Sequence, residues 1–248
     1  MSLASSLTLN DDLDVRVLAE AFAQDGRLHI PGILEAGAAQ RLHSALSVDP
    51  DWVLATLTGG EAADIPLGDI NYWSPQRQTA FAEATARDAA AGFHFMFDSL
   101  RLTALLKSGQ RIAPLYRDLH DFLNGPAFLA FARALTRDGR IRHADVQATR
   151  FRPGHYLNAH DDDRPGVGRL YAYVLNLTPD WRADFGGLLT FLDDAGHVSG
   201  AWTPTFNALN IFRVPQEHAV SPVARFAAGH RLSITGWLRQ DDPPILPH

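Results

Sequence analysis

LYAYVLNLTPDWRADFGGLLTFLDDAG, residues 170–196, alternates short apolar runs with turn signals. The runs LYAYVLNL and GLLTFLD are rich in leucine, aromatic and β-branched residues, and TPD, FGG and DAG interrupt or close them. Runs this short and this regularly punctuated read as consecutive strands of a sandwich or barrel-like sheet pair. The same texture extends in both directions, through DVQATRF (145–151), ALNIFRV (208–214) and RLSITGWL (231–238). It begins near residue 141.

Upstream the period changes. In DLDVRVLAEAFAQDGRL (12–28) Val15, Leu18, Ala19 and Phe22 keep helical spacing, and Gly26 ends the run. RLHIPGIL (27–34) reads as a short extended piece, and EAGAAQRLHSALS (35–47) as a second helix with Ala39, Leu42 and Leu46 on one side. Residues 76–91 read as helix and GFHFMFD (92–98) as a strand. IAPLYRDLHDFLNGPAFLAFARALT (112–136) reads as two helices broken at Gly125-Pro126. No linker composition marks the join near residue 140. The expectation is one α+β domain over 1–248, in which N-terminal helices buttress a C-terminal β-core with one or two N-terminal strands added to it.

Composition narrows the function classes. Of 248 residues 46% are hydrophobic and 20% charged, which suits a globular protein with a sizeable core. The net charge of -6 argues against a general nucleic-acid binder. With no cysteine, disulfides, thiolate ligands and a cysteine nucleophile are excluded, and a cytoplasmic protein is expected. The opening MSLASSLTLNDDLD lacks the basic flank and apolar run of a secretory signal, so the NLT at Asn176 carries no weight as a glycosylation acceptor. No run is long enough to span a membrane, so no membrane partner is expected.

The chemistry lies in RFRPGHYLNAHDDDRPGVG (150–168). If HYLNAHDD is extended, alternation puts Tyr156, Asn158, His160 and Asp162 on one face, so that His160 and Asp162 point at a common atom. Alone, this pair also reads as a polar strand end feeding a turn. VPQEHAVSPVARFAAGHRLSITGWL then supplies His218 on one candidate strand and Arg231 thirteen residues later on the next. Two imidazoles and a carboxylate with open positions form the facial triad of non-haem Fe(II) oxygenases. Arg231 and Ser233 share a face, and a guanidinium fork beside a hydroxyl suits a carboxylate. A ferrous site with a carboxylate anchor suggests a 2-oxoacid co-substrate. Asp161 and Asp163 read as solvated turn residues, and His230 falls on the face opposite Arg231. His120, His155 and His197 read as surface or packing histidines, and Trp181, Trp202 and Trp237 as core or rim.

Taken in order, PGHYLNAHDD, the DW…GG-L run from Trp181 to Leu188, and HAVSPV…HRLSITGWL resemble the 2-oxoglutarate/Fe(II) dioxygenases, in particular the prolyl-hydroxylase-type branch, over roughly residues 145–240. GRLHIPGIL and GFHFMFD resemble that branch's N-terminal region. The resemblance implies a double-stranded β-helix, or jelly-roll, with iron near one mouth. It implies His160, Asp162 and His218 as iron ligands, Arg231 as the anchor of the distal carboxylate of 2-oxoglutarate, and Ser233 as its assistant. It further implies dioxygen as co-substrate, ascorbate as an accessory reductant, and hydroxylation of an aliphatic C–H, favouring a prolyl residue of a protein or peptide over a free amino acid or other small metabolite. Two departures leave the second co-substrate contact open. Phe151 stands nine residues before His160, where many relatives carry tyrosine, and Leu175 and Asn176 stand where some carry another. Tyr156, Asn158, Asn176 and Ser233 are the candidates. The rival readings are a jelly-roll that binds a metal or ligand without catalysis, and a zinc hydrolase, which leaves Arg231 unexplained.

Overall fold

In the computed structural model residues 7–48 and 51–246 are described; residues 1–6, part of the opening read above for a secretory signal, lie outside them. In chain order the elements are α1 (Val15–Asp25), β1 (Arg27–Pro31), α2 (Ala36–Val48), β2 (Val53–Thr58), β3 (Glu61–Pro66), α3 (Leu67–Ile70), α4 (Pro75–Ala91), β4 (Phe95–Leu100), α5 (Leu102–Lys107), α6 (Pro114–Leu123) and α7 (Pro126–Thr136). The β-rich half follows with β5 (His143–Ala144), β6 (Gln147–Phe151), β7 (Tyr156–His160), β8 (Arg169–Asn176), β9 (Leu189–Leu192), β10 (Val198–Trp202), β11 (Ala208–Arg213), β12 (His218–Val220) and β13 (Arg231–Arg239). None of the described helices is long and apolar enough to cross a membrane.

Helix ends follow local chemistry. Asp14 caps α1 by accepting from the Arg16 and Val17 amides, and Gly26 ends it in the left-handed region at φ 66°. Ser74 caps α4, and α4, α6 and α7 each begin at proline, which needs no amide partner there.

The strands run β1-β11-β8-β13-β6 in one layer and β7-β12-β9-β10 in the other. β4 joins the layers, pairing β6 through Asp98–Leu100 and β7 through Phe95 and Met96. This nearly closed antiparallel barrel is the jelly-roll expected. Alternation sorts its larger layer. Tyr171, Tyr173 and Leu175 of β8, with Leu232, Ile234 and Leu238 of β13, pack outward in a core shared with Phe22, Leu42, Leu119 and Leu135 from the helices. Each fully buried leucine contributes about 2 kcal/mol of burial. The opposite faces turn into the barrel and supply its lining. Thus the helices support one sheet from behind and leave its front free.

Four strands, not one or two, come from the N-terminal half. β1 joins β11 at the layer's edge, and β2 pairs both β3 and β4. The β2–β3 hairpin turns at Gly59-Gly60, both at positive φ (59° and 84°), a two-glycine signal that the periodicity reading passed over.

Candidate metal and 2-oxoacid site

The inward residues of both layers bound a cavity of about 710 Å³. His160 ends β7 and His218 begins β12, directly opposite each other in register. Their rings lie 4.2 Å apart between centroids. Each Nδ1 donates to a main-chain carbonyl, His160 to Asn158 at 2.9 Å and His218 to Gln216 at 2.8 Å. Because a carbonyl only accepts, both rings are held as the tautomer that leaves Nε2 free to ligate. Asp162 meets both: Oδ1 is 3.5 Å from His160 Nε2 and Oδ2 is 3.5 Å from His218 Nε2. One ligand atom from each of the three residues lies within 4.8 Å of the others.

Strand alternation is not what brings them together. β7 stops at His160, and Asp162 lies in the left-handed region at φ 64°. A turn, fastened by the Asp163 amide donating to Asp161 Oδ1 at 2.9 Å, swings the carboxylate back. Register also shifts within β7, where His160 opposes His218 but Leu157 opposes Val220. The extra residue of this bulge puts Leu157 and His160 on the cavity side. Tyr156 and Asn158 are thereby turned away, correcting the shared face expected for them. The Tyr156 hydroxyl bonds His94 Nδ1 at 2.9 Å, and Asn158 Nδ2 donates to the Ala89 and Gly92 carbonyls at 3.2 and 3.1 Å.

Charge follows from burial. For His218, burial and then the neighbouring His160 lower the pKa to about 4, so it stays neutral, as a ligand must. Burial pushes the Asp162 carboxyl up, but its close contacts with His160 and His218 outweigh it, and the net shift is downward. Arg169 donates to the Asp162 carbonyl at 3.2 Å and lies 3.5 Å above the Trp237 ring. Sequence reasoning named neither as a site residue, although Trp237 shares the inward parity of Arg231.

Arg231 is 1% exposed. Its guanidinium stacks 5.0 Å from the Phe151 centroid, while Nε and Nη1 have no hydrogen-bond partner and no acid pairs with it among the described residues. Burial alone lowers its pKa to about 10, so it is a cation at neutral pH. An unpaired charge in such a place calls for an anionic ligand. Ser233 is buried two residues on, with Oγ 3.0 Å from Thr149 Oγ1, and Asn176 is buried with Nδ2 donating to the Ala208 carbonyl at 3.2 Å. Thr149 lines the cavity, whereas Asn176, Ser233 and Tyr156 do not.

The DW…GG run braces this end of the barrel. Trp181 Nε1 donates to the Gly186 carbonyl at 2.9 Å, and a Cβ on Gly186 would collide with the Pro222 carbonyl. A Cβ on Gly187 would come within 3.2 Å of Arg231 Cδ, so a glycine there leaves the arginine its space.

Comparison with known proteins agrees with this geometry. Residues 146–239 match the sequence model of the 2OG-Fe(II) oxygenase superfamily. The match covers the β-rich C-terminal part of the chain, from β6 to β13. Over 100 residues the chain is 33% identical to prolyl 3-hydroxylase OGFOD1 of Mus musculus, an alignment spanning 38% of this chain and 18% of that protein. Among solved structures it resembles a Pseudomonas putida prolyl-4-hydroxylase, with 18% identity, TM-score 0.57, and coverage of 92% of this chain and 100% of that one. It also resembles a prolyl hydroxylase from Trichoplax adhaerens in complex with a hypoxia-inducible-factor peptide fragment, with 14% identity, TM-score 0.61, and coverage of 91% and 89%. The superfamily implies Fe(II) and 2-oxoglutarate. Two imidazoles and a carboxylate fit ferrous iron, and the unpartnered Arg231 fits a carboxylate of the 2-oxoacid.

Proposed function

We propose that the chain, as a single domain, is an Fe(II)- and 2-oxoglutarate-dependent dioxygenase that hydroxylates an aliphatic C–H of a prolyl residue in a protein or peptide. One observation carries this reading: three convergent ligand atoms share a cavity with a buried guanidinium that has no acid partner among the described residues. A metal-binding jelly-roll without catalysis has no use for that cation, and neither does a zinc hydrolase. The prolyl substrate rests on the likeness to prolyl 3-hydroxylase OGFOD1 and the two prolyl hydroxylases, and on an apolar wall of Phe93, Phe95 and Phe97.

Iron bound with 2-oxoglutarate supplies C–H oxidation coupled to conversion of the 2-oxoacid to succinate and CO2. His160, Asp162 and His218 would hold the metal through one ligand atom each. Arg231 would pair with the far carboxylate of the 2-oxoacid and so position it in the cavity. The phenylalanines exclude water and offer a prolyl ring an apolar surface.

Anaerobic Fe(II) plus 2-oxoglutarate should give a weak visible charge-transfer band. With air and ascorbate as reductant, succinate release should rise with proline-containing peptides more than with free amino acids. No band and no succinate from folded protein would refute the dioxygenase assignment; a response to free amino acids alone would refute the peptide substrate.

A further inference from the structure

Tyr156 and Asn158 are turned away from the cavity, yet both are fastened to polar partners behind it. Asn158 directs its Nδ2 hydrogens at the joint between α4 and β4, to the carbonyls of Ala89 at 3.2 Å and Gly92 at 3.1 Å. A helix C-terminus leaves such carbonyls without amide partners of its own. The Asn158 main-chain amide donates to the His94 carbonyl of the same joint at 3.0 Å. Its main-chain carbonyl accepts from His160 Nδ1 at 2.9 Å. A single residue thus ties the joint to the ring of a candidate metal ligand.

The tie falls where β7 is irregular. The bulge between Leu157 and His160 interrupts the ladder with β12, and pairing with β4 involves Tyr156 and Leu157 alone. A slip of one residue there would turn His160 out of the cavity, because strand side chains alternate faces. A second fastening lies beside the first. The Leu57 carbonyl can only accept, so His94 Nε2 donates to it at 3.3 Å and leaves Nδ1 to accept from the Tyr156 hydroxyl at 2.9 Å. α4 adds little apolar packing at this joint, with Thr85 buried and most of its other residues exposed. Hydrogen bonds therefore set the bulge.

We infer that Asn158 is a positioning residue for the metal site, pinning the β7 bulge to the α4–β4 joint and so fixing the reach and the tautomer of His160. The inference rests on the ligand set of the proposed function and adds to it a side chain that faces away from the cavity. It also gives the carboxamide a duty beyond capping α4. A residue that merely capped the helix would contribute stability and leave the seat of the metal unchanged when lost.

Calorimetric titration of Mn(II), with proton NMR of the Co(II)-loaded protein, tests it. Asn158→Leu is close in shape but removes the side-chain donors. It should weaken Mn(II) by about tenfold to a hundredfold, as losing an outer partner of a metal ligand typically does. In the Co(II) spectrum the Nδ1 protons of His160 and His218 should give exchangeable, far-shifted signals. Asn158→Leu should displace or broaden the His160 signal and leave that of His218 in place. Asn158→Ser keeps one donor, should fall between, and serves if the leucine variant does not fold. Ser74→Ala removes the cap at the opposite end of α4, and should lower thermal stability without changing either readout. The inference is overturned if the folded Asn158 variant binds Mn(II) within about threefold of wild type with both signals in place, or if Ser74→Ala weakens Mn(II) equally. Wild type that takes up neither Mn(II) nor Co(II) would overturn the functional reading as well.

Discussion

Arg231 and Phe151 face each other across the β6–β13 ladder, with the guanidinium carbon 5.0 Å from the ring centroid. Stacking on an aromatic face is the visible compensation for burying this cation, because no acid pairs with it among the described residues. The cavity therefore carries a buried positive charge without an acid beside it among the described residues. A shift in pKa from 12.5 to about 10 corresponds to roughly 3 kcal/mol of folding free energy lost at neutral pH.

Replacing that residue should separate binding from stability. Arg231→Leu should weaken 2-oxoglutarate by about thirty-fold to a few thousand-fold, from the roughly 2–5 kcal/mol that losing one partner of a buried charge pair costs. Arg231→Lys should fall between, since it keeps the charge but not the planar fork. The ligand-free leucine variant should melt no lower than wild type, because an uncompensated charge has gone. Anaerobic titration and thermal denaturation measure the two quantities, and equal 2-oxoglutarate affinities would remove Arg231 from the site.

The Asp triplet should divide by position. Asp162→Asn tolerates the left-handed backbone but gives up the anionic ligand, so the protein should fold and bind metal poorly. Asp163→Ala should leave metal binding close to wild type. Asp161→Ala removes the acceptor that fastens the turn, so it should cost about 1 kcal/mol and loosen the metal modestly. Metal titrations of the three variants decide, and equal losses would contradict the turn geometry.

Much of this was legible in the sequence. The longer helices α1, α2, α4, α6 and α7, the strands β6, β8, β9, β11 and β13, and the grouping of His160, Asp162, His218 and Arg231 follow from period, punctuation and motif order, whereas the short α3, α5, β5 and β10 do not. What was not legible is irregular backbone. Alternation selected His160 and Asp162 for the wrong reason, because a positive-φ turn and not a continuous strand brings them together. The same rule misplaced Tyr156, because the bulge in β7 reverses facing within two residues.

Metal should stabilise the fold measurably if the three ligands act together. Mn(II) at a hundred times its dissociation constant should add about 2.7 kcal/mol. His160→Ala and His218→Ala should each abolish most of that gain and all detectable succinate formation. Thermal shifts with and without metal check this without needing the substrate. A full shift in either variant would remove that histidine from the ligand set.

His155 should give the protein an acid-sensitive step of its own. It is 4% exposed, its Nδ1 has no hydrogen-bond partner among the described residues, and burial lowers its pKa to about 4, with Asp98 opposing and Arg152 reinforcing the shift. Between the ordinary histidine pKa of 6.5 and about 4, the unfolded chain binds a proton that the folded chain refuses. Stability is therefore complete above pH 6.5 and falls as pH drops toward 4, by roughly 3 kcal/mol from this residue. His218 titrates over the same window in metal-free protein, and burial also lowers the pKa of His143 and His230, so the wild-type curve carries several contributions. His155→Leu removes one of them and should flatten the curve over that range while leaving metal affinity at pH 7.5 unchanged. Denaturant unfolding of metal-free protein at half-unit pH steps measures the slope, and parallel curves for wild type and variant would show that His155 is not the titrating group.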